Sequence, residues 1–172
     1  MNVGGNKVFR PSLLAAELAR FGVVNIGAAG TFVVRGAVTQ AVLRSEILRR
    51  LGFDADVMIC DGRDVLELVA SDPFRDHPGP PEVTRFVTVL SKRPRRVPPL
   101  PIEGPPGDPW EMKIFEVRGR FVLSLWRRIG ERFLDPGRLV GDTSFGVTGT
   151  TRNWNTIVKI AAVLENPPAK KR

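Results

Sequence analysis

The chain has 172 residues, 42% hydrophobic and 26% charged, a balance near the globular norm that excludes a largely disordered protein and suits one ordinary domain or two small ones. Its 26 Lys and Arg against 18 Asp and Glu leave a net charge of +8, which makes nucleic acid, anionic metabolites and acidic proteins electrostatically welcome without choosing among them. A single cysteine, Cys60, excludes an intramolecular disulfide and a cysteine-built zinc cage, and the lack of a bilayer-length apolar run or an apolar amino-terminal signal makes the expected location cytoplasmic, with no membrane partner.

Pro11 fits the first turn of a helix, where its missing N–H is no loss, and Leu14, Leu18 and Phe21 recur at helical spacing up to Gly22. VVNIGAAGTFVVR follows, with β-branched residues on both sides of Gly27 to Gly30, as in two strands joined by a tight glycine turn. A second helix is predicted from about Thr39 to Leu51, with Leu43, Ile47 and Leu51 on one face and Gly52 as its stop. ADVMIC, residues 55–60, reads as a strand. The order helix, strand, strand, helix, strand is that of a βαββαβ ferredoxin-like plait without its first strand. That strand lies inside the sheet of such a plait, so its absence leaves two strands short of a ladder partner.

Asp61 and Asp64 open a third helix that ends at Asp72-Pro73, and VTRFVTVLS is a strand from about Val83. Eleven of the fifteen prolines fall between Pro73 and Pro109, so the stretch at about 91–109 is expected to be an extended connector rather than a helix or a central strand. MKIFEVRG and RFVLSLWRR read as a hairpin hinged near Gly119, with Phe121 and Trp126 as core residues, and a last helix carries IVKIAAVL behind the polar stretch TTRNWNT. The reading is an α+β protein of two ferredoxin-like (α/β plait) subdomains, over residues 1–61 and 62–172.

NVGGNK at the amino end, the strand pair around AAGTFVV, the DPF of residues 72–74 and the closing TTRNWNT of residues 150–156 resemble the bacterial family catalogued as domain of unknown function 1697. The resemblance covers essentially the whole chain and implies two α/β plait subdomains but no established activity. Members carry an apolar strand and Leu-Arg-Gly-(Ile or Val) before Asn-Val-Gly-Gly, whereas here Met1 holds the Ile/Val position. The expectation is a true start upstream of Met1, which mass spectrometry of the native protein checks. If the short form is real, a second copy can supply the missing strand as a homo-oligomer.

Two clusters carry candidate chemistry. Asn2, Gly4, Gly5, Asn6 and Lys7 can let backbone N–H groups approach an anion, although Walker spacing is absent and two glycines also serve turn geometry. In TTRNWNT, Arg152, Asn153, Trp154 and Asn155 can hold a carboxylate or phosphate; equally, Thr151 or Asn153 can cap the helix, Trp154 can anchor an apolar face with Ile157, Ala161 and Leu164, and the amides can pin the NVGGN loop. Lys92, Arg93, Arg95 and Arg96, with the tail Lys170, Lys171 and Arg172, form a basic patch for nucleic acid only if folding gathers them. His77 and Cys60 lack the companions that nucleophilic or metal chemistry needs, so no catalytic residue, metal or cofactor is assigned. The leading reading is a non-enzymatic binding module for an anionic small ligand or a partner at the junction of NVGGNK and TTRNWNT. Its alternatives are a nucleic-acid binder using the Arg-rich surface and a small-molecule enzyme with Lys7 and Arg152 as charge clamps on a phosphorylated or carboxylated substrate.

Overall fold

Residues 10–79, 81, 83–106, 109–129 and 142–166 are described by the computed structural model, and they build helices together with one two-stranded and one five-stranded sheet, an α+β protein. The chain divides into two compact units, one drawn from residues up to Ala70 together with those from Val158 onward, the other from Ser71–Ile157. The first unit thus runs past residue 61 to Ala70 and includes the described residues from Val158 to 166.

In the first unit, helix α1 (Pro11–Glu17) starts on Pro11 as the spacing predicts, then tightens into a 3₁₀ turn (Ala19–Phe21). Gly22, at φ 62°, closes that turn in the left-handed region open to glycine. Strands β1 (Val23–Asn25) and β2 (Phe32–Val34) pair antiparallel, Val24 opposite Val33, across the predicted glycine turn. Helix α2 (Gln40–Leu51) begins where the Thr39 hydroxyl accepts the Val42 N–H at 3.3 Å and stops at Gly52, φ 66°, whose N–H returns to the Leu48 carbonyl. Glu46 on α2 holds Arg20 at 2.5 Å and Arg50 at 2.6 Å, and the bond from Arg50 keeps its carboxyl below the ordinary carboxylate range. Helix α3 (Gly62–Ala70) buries Val65 and Leu68. Leu14, Leu18, Leu43, Ile47 and Val57 form one core cluster, against which Phe21, Val23, Phe32 and Val34 pack.

The predicted strand over 55–60 is not there: among the described residues only Asp56 makes an isolated bridge. Val57 faces the core all the same, and its carbonyl accepts from the Arg44 guanidinium rather than from a ladder neighbour. β-propensity by itself does not make a strand, which requires a continuous ladder. Within the same unit, Arg35, following β2, donates to the Val163 carbonyl and, at 3.1 Å, to the Asn166 carbonyl at the end of helix α4 (Trp154–Glu165). A guanidinium there meets the negative end of the helix dipole and satisfies carbonyls the helix leaves open.

The second unit is built on the five-stranded sheet: β3 (Val83–Leu90), β4 (Ile102–Gly104), β5 (Met112–Arg118), β6 (Phe121–Arg127) and β7 (Gly149–Asn153), in the order β4-β5-β6-β3-β7, every neighbouring pair antiparallel. β4 is the part of the proline-rich connector that joins the sheet, and it sits at the edge, where a missing N–H costs least. β5 and β6 form the predicted hairpin across Gly119, φ 59°, the first of two loop residues. The register shifts between Ile114 and Glu116, a bulge that takes Phe115 out of the ladder.

Leu90, Ile114, Val122, Phe145 and Val147 make one core cluster of this unit. Phe121 is buried as expected, and Trp126 only partly so. Ser124, on β6, is fully buried, and its hydroxyl has no hydrogen-bond partner among the described residues. A desolvated, unbonded hydroxyl opposes folding, so Ser124→Ala is expected to raise stability by about 1 kcal/mol in a denaturant titration. A loss of stability on that change would show that the hydroxyl is bonded.

Candidate functional site

The stretch TTRNWNT divides between two elements. Gly149–Asn153 is strand β7, paired to β3 with Val87 opposite Arg152 and Thr88 opposite Thr151, and only Trp154 onward is helix. The expectation of a helix start for the whole cluster is therefore corrected: two adjacent threonines suit an edge strand, and β3 offers them a ladder. Most of the polar groups around the helix start take internal roles. The Asn155 N–H donates to Asn153 Oδ1 at 2.8 Å, so Asn153 caps the helix, while the Thr151 and Thr88 hydroxyls share a 2.7 Å bond. Arg152 Nη1 donates to Thr150 Oγ1 at 2.8 Å and to the Thr151 carbonyl at 2.7 Å, and burial lowers the pKa of this guanidinium. Asn155 is exposed.

Trp154 is the anchor that its helical spacing predicts. Its ring lies 5.0 Å from that of Phe74, which is wholly buried and meets Phe115 edge-on at 5.5 Å. The bulge in β5 thus delivers Phe115 to the DPF segment, and two of the stretches on which the resemblance rested, DPF and RNW, touch. Arg85 fastens the loop after Phe74, donating to the His77 carbonyl at 2.6 Å and the Pro78 carbonyl at 3.3 Å. The His77 ring stacks on Phe115 at 3.9 Å, and desolvation holds its imidazole below the ordinary value. This is an aromatic clasp. Asn2, Gly4, Gly5, Asn6 and Lys7 lie outside the described residues, as does the tail with Lys170, Lys171 and Arg172.

A second gathering lies at the opposite end of β7. β3 leaves the sheet where β7 enters it, with Leu90 opposite Gly149, and the Ser91 N–H bonds to the Thr148 carbonyl at 2.8 Å. The loops flanking that pair must therefore be neighbours, although they are some fifty residues apart along the chain. Between them opens a cavity of about 650 Å³ lined by Lys92, Arg95, Arg96, Pro98 and Pro99 on the connector and by Ser144 to Val147 on the other side. Phe145 and Val147 are rooted in the core, which fixes one wall, and prolines at 94, 98 and 99 restrict the other. Arg93 does not line the cavity; its guanidinium lies beside Gly119 at the hairpin turn.

Several cations elsewhere stand against acids, as in Arg20 and Arg50 with Glu46, Lys113 with Glu103 and Arg118 with Glu116, and others, such as Arg35, Arg44 and Arg85, bond to backbone carbonyls. Lys92, Arg95 and Arg96 make no ion pair and no side-chain hydrogen bond among the described residues. Three cationic groups, two of them planar forks suited to phosphate and carboxylate, thus line one concavity with no acid paired to them among the described residues. The sequence supplied the basic cluster but had no signal for Ser144 to Val147, because the pairing of β3 with β7 is what brings that segment across.

Comparison of the chain with protein-family models, with curated proteins and with solved structures found no match. Among the described residues no helix is long and apolar enough to cross a membrane.

Proposed function

We propose that this protein is a non-enzymatic binding module for an anionic ligand, held in the cavity between the connector and Ser144 to Val147, the end of the short helix Asp142–Phe145 and the turn after it. The observation that carries this reading is the set of Lys92, Arg95 and Arg96 around a cavity of about 650 Å³, a size typical of small-ligand pockets, without a counter-charge among the described residues. The internal bonds of Arg152 and Asn153 favour this place over TTRNWNT. The resemblance to domain of unknown function 1697 and the plait reading belong to the same proposal. In support of the latter, the strands β7-β3-β6-β5 follow the order and directions of a plait's fourth, first, third and second strands, with the proline-rich connector where the first crossover helix would run.

A ligand that binds the folded state raises the melting temperature. In a thermal-shift titration with phosphate, citrate, nucleotides and short DNA, at least one anion is expected to give a saturable rise that the Arg95→Ala/Arg96→Ala variant loses. A panel without any rise, or a rise untouched in that variant, would overturn the reading. The nucleic-acid alternative is favoured by one observation, that Arg93, Arg95 and Arg96 are all exposed on one connector, and it requires a steep fall of affinity with salt and a contribution from Arg93.

A further inference from the structure

The cavity's shape and charge say more about its occupant than that it is an anion. We infer that the site takes a small molecule carrying two or more phosphoryl groups on a compact organic scaffold; this rests on the anion-binding reading above.

The first reason is charge balance. Lys92, Arg95 and Arg96 bring three positive charges to one cavity with no acid paired to them among the described residues. A single carboxylate would neutralise one of the three and leave two like charges facing each other. Two phosphoryl groups bring about three to four negative charges near neutral pH, since a phosphate monoester carries about −1.5 to −2.

The second reason is geometry. A carboxylate has two oxygens in one plane, and a single guanidinium fork satisfies it. Two forks and an ammonium arriving from separate positions along Lys92–Arg96 need an acceptor with oxygens in several directions, which a tetrahedral phosphoryl group provides. Two such groups give each fork its own partner.

The third reason is volume and lining. About 650 Å³ is much more than an inorganic ion fills, being within the range of pockets that take whole organic ligands. Phe145, Val147, Pro98 and Pro99 contribute apolar wall beside the cations, so the scaffold bearing the phosphates has a surface to rest on. A polynucleotide is less well matched. It would extend along the connector and draw on Arg93, which points away from the cavity to the hairpin turn.

Isothermal titration calorimetry on the full chain tests this, with ADP, fructose 1,6-bisphosphate, AMP, citrate and a single-stranded DNA oligonucleotide as probes. ADP or the bisphosphate is expected to bind at least about tenfold tighter than AMP and than citrate, the factor that goes with losing one charge-assisted contact. Arg95→Ala and Arg96→Ala should each weaken that binding about tenfold or more by the same conversion, whereas Arg93→Ala should leave it unchanged. Circular dichroism confirms that the variants are folded, which the exposure of all three arginines favours. Citrate bound as tightly as the bisphosphates would overturn the phosphoryl inference and leave the anion reading standing. Tighter binding of DNA, weakened equally by Arg93→Ala, would replace it with a polynucleotide surface. Failure of every probe would remove both readings together.

Discussion

Phe74→Ala is expected to destabilise the protein by about 3–5 kcal/mol, the usual cost of emptying a buried aromatic position. Phe74 has no exposed surface, and its ring is shared between Phe115 at 5.5 Å and Trp154 at 5.0 Å, with the Arg85 guanidinium 5.9 Å from its centre. Removing the ring loses transfer free energy and also leaves a space that these neighbours cannot all move to fill. The aromatic contacts themselves add about 0.5–1.5 kcal/mol per pair beyond burial. Phe74→Leu keeps most of the volume and should cost nearer to about 1–2 kcal/mol. Urea unfolding of both variants measures the difference, and a loss below about 1 kcal/mol for Phe74→Ala, the scale of an ordinary surface change, would mean that the clasp is not a centre of stability. The consequence reaches along the chain, because Trp154 is the first residue of helix α4 and the clasp sets where that helix begins.

Arg152→Ala is expected to cost about 1.5–3 kcal/mol of stability and to leave anion binding at the Lys92 to Arg96 cavity unchanged. The first half follows from its bonds to Thr150 Oγ1 and to the Thr151 carbonyl, since hydrogen bonds made by a charged donor in partly buried surroundings fall in that range. The second half follows from its position. Arg152 lies opposite Val87 in the ladder, toward the helix end of β7, whereas the cavity opens at the other end beyond Gly149. Arg152→Lys should recover part of the stability at most, because an ammonium cannot reproduce the planar fork. Chemical denaturation and a phosphate titration on the same samples decide the matter. Unchanged stability with lost binding would make TTRNWNT the site after all.

Much of the local structure was legible because it depends on short-range chemistry. Thr39 and Gly52 bracket α2 by capping and by left-handed glycine geometry, and Pro11 and Gly22 do the same for the first helical segment. Gly119 turned the β5–β6 hairpin, and the prolines kept the connector out of the sheet except at its edge. Two expectations went wrong. ADVMIC had a strand's composition but forms only the isolated bridge at Asp56, and TTRN had the polarity of a cap region but found a partner in β3. Whether a segment is a strand depends on a neighbour that its own residues do not specify.

The candidate site divides along that line as well. Composition and order placed Lys92, Arg93, Arg95 and Arg96 together on an extended proline-rich connector, since charge and proline act within a few residues. That a cavity stands beside them, walled by Ser144 to Val147, came from the tertiary arrangement alone. The antiparallel pairing of β3 with β7 sets Leu90 against Gly149 and so joins two loops distant in sequence, and hydrogen-bonded register is a property of the folded sheet rather than of either strand.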